Sequence, residues 1–121
     1  MTYFKPALLS LALLSSNAFA ADCTAPDMPT VPDGGSSTME QMLEGQKSVK
    51  AYQAANLEYM NCLEPLISEA ETTAQGESAT DADKAKAKAL NDAYNAAVSQ
   101  EEELAGKFNT AIRAYKAANP G

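Results

Sequence analysis

The sequence predicts an all-α protein built as an antiparallel two-helix hairpin, and three observations lead to this prediction. Two long segments repeat apolar residues at heptad spacing, each segment opens with a helix-capping pattern, and a short turn containing glycine separates them. Helices of similar length that are joined by a short turn lie antiparallel. An extended proline-rich segment precedes the first helix, and we expect a disulfide to pin it back along that helix.

Residues 1–20 have the features of a cleaved export signal. Lys5 supplies a positive start, residues 7–14 form an apolar core, and Ala18-Phe19-Ala20 is an A-x-A cleavage site. The apolar core is shorter than the roughly 20 residues that a membrane-spanning helix needs. We therefore expect a mature protein that is exported, and that is either periplasmic or secreted.

The mature chain is strongly acidic. Because the signal contains Lys5 and no acidic residue, its removal leaves eight basic and sixteen acidic residues and a formal charge of −8. Nucleic acids and anionic lipids are bound by clustered lysine and arginine side chains, which replace counterions. Composition therefore argues against a nucleic-acid partner, and no mature segment is long and apolar enough to predict a membrane span.

Residues 21–36 form an extended segment rich in proline and glycine. Its prolines recur at three-residue spacing, which suits a polyproline-like strand with three residues per turn. From Cys23 to Ser37 such a strand would span roughly 43 Å, while a helix from Ser37 to Cys62 would span roughly 37 Å. These similar lengths predict that the segment folds back along the first helix, with Met28 and Val31 covering part of the helical groove.

Cys23 and Cys62 are the only two cysteines, and an oxidising compartment favours a disulfide between them. A bridge between two chains is the alternative. The spacing of the two residues excludes a CxxC redox site. Closing a loop of about 40 residues would stabilise the fold by roughly 4 kcal/mol through chain entropy, a large share for a core of two helices.

The hairpin is predicted to occupy residues 37–121, with its first helix at about 37–74. Ser37-Thr38-Met39-Glu40 matches a capping box. Gly45 and Asn56 interrupt the apolar stripe that follows. Either the helix kinks at Pro65, or it stops at Leu63 and a short second helix starts with Pro65 in its first turn. The stripe itself consists of Met42, Val49, Tyr52, Tyr59, Leu63, Leu66 and Ala70.

The second helix is predicted at about 80–118, with Thr80 near its cap and Asn119-Pro120-Gly121 after its end. Its apolar stripe is wide, which indicates a helix that faces a core, and only Glu101 interrupts it. The stripe consists of Ala87, Leu90, Tyr94, Ala97, Leu104, Phe108, Ala111, Tyr115 and Ala118, widened by Val98, Ala105 and Ile112.

The interrupting Glu101 should lie opposite a polar part of the first helix. In an antiparallel hairpin it falls near Tyr52, Gln53 and Asn56. A polar layer of this kind can set the register of two helices, as buried polar residues do in coiled coils. The same four residues are also the candidate site for a small polar ligand.

The sequence contains no histidine, which rules out serine–histidine and cysteine–histidine nucleophiles and the HExxH zinc motif. Capping residues, heptads and cysteines all serve the fold, so we predict that the protein is not an enzyme and has no cofactor or metal. We expect a non-catalytic interaction or structural module, whose partner is a protein or an envelope component, with a homodimer as one option. The alternative is a small-ligand or metal binder, in which Met39 and Met42 would offer thioethers to Cu(I).

Overall fold

The structure, a computed structural model, describes residues 23–121 and confirms the two-helix hairpin. Helix α1 spans Met39–Ala74, helix α2 spans Asp81–Ala118, and the part of the chain described contains no strand. The two helices pack against each other along their length. The predicted export signal, residues 1–20, lies outside the described residues.

Both helices begin with a reciprocal capping box. The predicted cap at Ser37 is wrong by one residue, because Thr38 is the N-cap and bonds reciprocally with Gln41. At α2, Thr80 and Asp83 exchange the same two hydrogen bonds. The Thr80 backbone N–H, and then the Thr80 side chain, lower the pKa of the Asp83 carboxyl, so this contribution to stability is present near neutral pH and is lost as acid protonates Asp83.

Pro65 lies inside α1, which continues to Ala74. Of the two sequence-based alternatives, a helix that ends at Leu63 is therefore wrong. Proline removes one backbone hydrogen bond from a helix, and Pro65 does so at an exposed position where water can solvate the freed carbonyl.

The core consists of two apolar clusters that lie one after the other along the hairpin. One lies near the start of α1 and the end of α2, and the other lies near the connecting turn. The buried members of the first are Met42, Val49, Tyr52, Leu104, Phe108 and Ala111, and those of the second are Cys23, Leu63, Ala70, Ala87 and Leu90. Most of the predicted stripe is therefore buried, whereas Val98 and Ala118 are exposed.

The extended segment folds back over the groove between the helices, on one side of the hairpin. A disulfide joins Cys23 to Cys62, as predicted, and Cys23 is buried in the second cluster. At the other end of the segment, Val31 packs against the first cluster. Met28, which we expected to cover the groove as well, keeps 36% of its surface exposed. We call this side of the hairpin the closed groove.

Two glycines permit the close approach of the extended segment to the helices in the closed groove. A Cβ on Gly45 of α1 would lie 2.7 Å from Cγ in the ring of Pro32. A Cβ on Gly34 would lie 2.7 Å from the carbonyl carbon of Ala111 and 2.9 Å from the amide nitrogen of Tyr115. Gly45, which interrupts the apolar stripe in the sequence, is thus a second point, besides the disulfide at Cys62, at which the extended segment contacts α1.

The Gly34→Ala variant should be destabilised by about 2–4 kcal/mol, because the added methyl group meets helical backbone that cannot move without breaking α2. Gly35→Ala is the matched control, since a Cβ there has only an ordinary 3.4 Å contact with Asp33. Denaturant unfolding followed by circular dichroism measures both. Equal stability of the two variants would contradict the packing of Gly34 on α2.

Replacing both cysteines by serine should lower the free energy of unfolding by about 3–4 kcal/mol, because the bridge closes a loop of 39 residues. Thermal unfolding of the variant, compared with the oxidised and the reduced wild type, tests this. The reduced wild type should behave like the variant. A variant as stable as the oxidised protein would show that the bridge adds nothing to stability.

Candidate functional site

The groove on the other side of the hairpin is open. At its lower end, beside the start of α1 and the end of α2, it widens into a depression of about 500 Å³. Five apolar side chains from the two helices and the phenol of Tyr115 line it together with polar atoms at the rim. The lining residues are Met39, Met42, Leu43, Gln46, Phe108, Ile112, Tyr115, Lys116, Asn119 and Gly121.

A second depression of about 340 Å³ lies near the connecting turn, and it is more polar in its residue types. Here Asn91 Nδ2 donates a hydrogen bond to Glu71 Oε1 at 2.9 Å, which links the two helices across the surface. The depression is lined by Glu64, Ile67, Ser68, Glu71, Asn91 and Tyr94.

The two depressions are ends of one groove. Residues that are seven apart lie on nearly the same face of a helix. On α2 the series 91, 98, 105, 112 begins in the upper depression and ends in the lower one, and on α1 the series 43, 50, 57, 64 joins them in the same way. We call this continuous face the open groove.

Large apolar side chains are exposed along the open groove. Met39 and Leu43 are each 57% exposed, Leu57 is 55% exposed and Val98 is 37% exposed. In the part of the chain that the structure describes, Met28 is the one other large apolar residue with such exposure. Single exposed apolar residues are ordinary, but several on one face mark a surface for contact.

The predicted polar layer lies at mid-length, between the two apolar clusters. Asn56 is 1% exposed, and its Nδ2 donates a hydrogen bond to the backbone oxygen of Ala97 at 3.0 Å. Gln53 is half-buried, as is Glu101. The hydrogen bond satisfies a buried amide that would otherwise be costly, and it ties one height of α1 to one height of α2.

Tyr52 is buried beneath this layer, and its hydroxyl makes no hydrogen bond within residues 23–121. Burial, and then the negative charge of Glu101, raise the pKa of Tyr52 above 10.0, so the phenol is neutral at physiological pH. The structure thus places Tyr52 within the electrostatic range of Glu101, without a hydrogen bond between them. A buried hydroxyl without a hydrogen bond lowers stability.

The other candidate residues from the sequence lie apart from the polar layer. Met39 and Met42 both line the lower depression, Met42 being buried and Met39 exposed. Glu103, two residues after Glu101, forms an exposed ion pair with Lys107 at 2.9 Å, as expected of a solvated surface. Among the described residues, no three histidine, cysteine, aspartate or glutamate side chains are grouped so that they could hold a metal ion.

Comparison of the chain with protein-family models, with curated proteins and with solved structures finds no match. Within residues 23–121, neither helix has a stretch apolar enough to cross a bilayer. The fold itself defines the class of protein, which is a two-helix hairpin pinned by a disulfide, with one closed and one open groove.

Sequence reasoning missed the open groove, although a signal for it is present. The positions 43, 50, 57 and 64 read Leu, Lys, Leu and Glu, a half-apolar heptad series beside the core stripe. Such a series is ambiguous in a sequence, because a neighbouring segment could cover it. Only the position of the extended segment, on the other side, shows that nothing in residues 23–121 covers this series.

The Tyr52→Phe variant should be more stable than the wild type by roughly 1 kcal/mol, because the ring stays in place and a buried unpaired hydroxyl is removed. Tyr94→Phe, at a half-buried position, is the control and should change stability little. Urea unfolding of the three proteins measures the difference. A loss of stability in Tyr52→Phe would mean that the hydroxyl has a partner in the folded protein.

Proposed function

We propose that this protein is a small exported helical module that acts without catalysis, by contact with another protein or an envelope component outside the cytoplasm. The observation that supports the proposal is the open groove, in which four large apolar side chains are exposed on one face of an otherwise well-packed hairpin. Leaving these side chains in water has a cost in free energy that a bound partner would remove.

Two features support a location outside the cytoplasm. Residues 1–20 have the pattern of an export signal, and a disulfide joins Cys23 to Cys62. Structural disulfides form and persist in oxidising compartments, in keeping with a location outside the cytoplasm. Periplasmic retention and full secretion are both compatible with these two features.

The charge of the module favours particular partners. The formal charge of −8 predicted for the mature chain repels nucleic acid and anionic lipid. The lower depression, by contrast, has Lys116 at its rim and apolar side chains at its floor. We therefore expect a partner protein whose contact surface has apolar side chains and few acidic groups at its centre.

Crosslinking in living cells tests the proposal. A photoreactive amino acid at Leu43 or Leu57, in the full chain with its own signal, should give discrete crosslinked products, because both side chains project from the open groove. Ala51 is the control position, exposed on α1 but six residues from Leu57 and so turned about 120° away from the groove. Products at the groove positions that are no more specific than those at Ala51 would contradict the proposal.

A second candidate function is the binding of a small ligand or a metal ion. Two observations favour it, the unpaired hydroxyl of Tyr52 near Glu101 and the presence of both Met39 and Met42 in the lower depression. Calorimetry with Cu(I) and with small polar metabolites tests it. Met42→Leu should remove Cu(I) binding, and Glu101→Leu should remove binding of a polar ligand, if these residues form a site.

A further inference from the structure

We infer that the partner of the open groove is a second copy of this chain, packed with its own open groove so that two hairpins form a four-helix bundle about a twofold axis parallel to the helices. This inference rests on the proposed function, since it names the occupant of the same surface. It goes further because it also assigns the register of the contact.

The register follows from the heights at which residues of the two helices lie. Asn56 bonds to Ala97, and a Cβ on Gly45 would lie 3.3 Å from Phe108 Cε2. Gly45 comes eleven residues before Asn56, and Phe108 comes eleven residues after Ala97. Each residue toward the N-terminus of α1 is therefore matched in height by one residue toward the C-terminus of α2, as expected for antiparallel helices with the same rise per residue.

The apolar residues that the two helices contribute to the groove fall into two layers. By this register Leu57 is matched by position 96 and Leu43 by position 110, so Val98 and Ile112 each lie two residues, about 3 Å, from the matched height. Leu43 and Ile112 also line the same depression. On each helix the two positions are fourteen residues apart, or four turns. The groove thus has two apolar layers, each with one residue from α1 and one from α2.

A twofold axis parallel to the helices keeps every residue at its own height and lays α1 of one copy on α2 of the other. Leu57 then meets Val98 of the second copy, and Leu43 meets Ile112 of the second copy. An isologous interface requires this reciprocity, in which each contact occurs twice. Four helices packed antiparallel to their neighbours in this way form a common and stable arrangement, the four-helix bundle.

The charges at the rim agree with the same register. Lys50 lies six residues before Asn56 and Glu102 lies five residues after Ala97, so these opposite charges face each other between copies. Near the turn, Glu71 lies fifteen residues after Asn56 and Lys84 lies thirteen residues before Ala97, so these opposite charges differ in height by two residues, about 3 Å. Within the described chain, neither Lys50 nor Glu102 is engaged in an ion pair. Charge complementarity of this kind selects a partner and its register.

The first test is the mass of the exported protein, purified after expression of the full chain, measured by light scattering across a wide range of concentrations. We expect a dimer that dissociates on dilution and that persists when the disulfide is reduced under conditions that preserve the helices. Leu57→Lys should weaken it about a hundredfold, since two charges would enter the apolar layer. Ala51→Lys adds the same charge on the outer face of α1 and should leave the dimer unchanged.

Charge exchange tests the register itself. Lys50→Glu alone, and Glu102→Lys alone, should each weaken the dimer several-fold, because like charges then face each other twice. The double variant should recover the wild-type affinity. Circular dichroism of each variant shows that the monomer is folded, which is expected since the changed side chains are exposed.

A wild-type protein that stays monomeric at every concentration would overturn the inference, as would a dimer that Leu57→Lys does not weaken. Failure of the double variant to recover affinity would overturn the register.

Crosslinking distinguishes a failure of this inference from a failure of the proposed function. If groove crosslinks join the chain to a different protein while the purified protein is monomeric, the proposed function is supported and the inference that a second copy occupies the groove is wrong. If the groove gives crosslinks only between identical chains, the dimer stands, and the open groove is not the surface that contacts a different protein or an envelope component.

Discussion

The anchoring of the extended segment in one groove is the constraint on which the rest of this structure depends. Two helices alone bury little apolar surface, and a hairpin of this size is marginal without a further element. Residues 23–35 supply that element, held at one end by the disulfide from Cys23 to Cys62 and at the other by the approach of Gly34 to α2. The extended segment thereby covers the closed groove, and the open groove on the other side stays uncovered within residues 23–121.

This asymmetry leaves exposed apolar side chains on only one side of the pair of helices. The closed groove completes the core at Val31 and Cys23, so the apolar residues there contribute to stability. The open groove contains Leu43 and Leu57, which are more than half exposed and contribute little to the folded monomer. Under the proposed function, stability and contact with a partner belong to opposite sides of the same pair of helices.

The polar layer connects the two apolar clusters. Asn56 is buried, and its single cross-helix hydrogen bond would be lost if α1 slid by one turn against α2. Apolar contacts alone tolerate such shifts more readily, because they have little directionality. The layer therefore sets the heights of all residues in the open groove, and with them the pairing that a second copy would use.

By itself, the sequence determined the helical hairpin, the disulfide and the two helix caps, the first of them to within one residue. These follow from local rules, namely heptad spacing, capping side chains and the pairing of the only two cysteines. The uninterrupted passage of α1 through Pro65, the burial of Gly45 against Pro32 and the identity of the open groove were decided only by the tertiary structure. The physical reason is that two packed helices present two equivalent grooves, and only the path of the extended segment between its two anchors determines which one is filled.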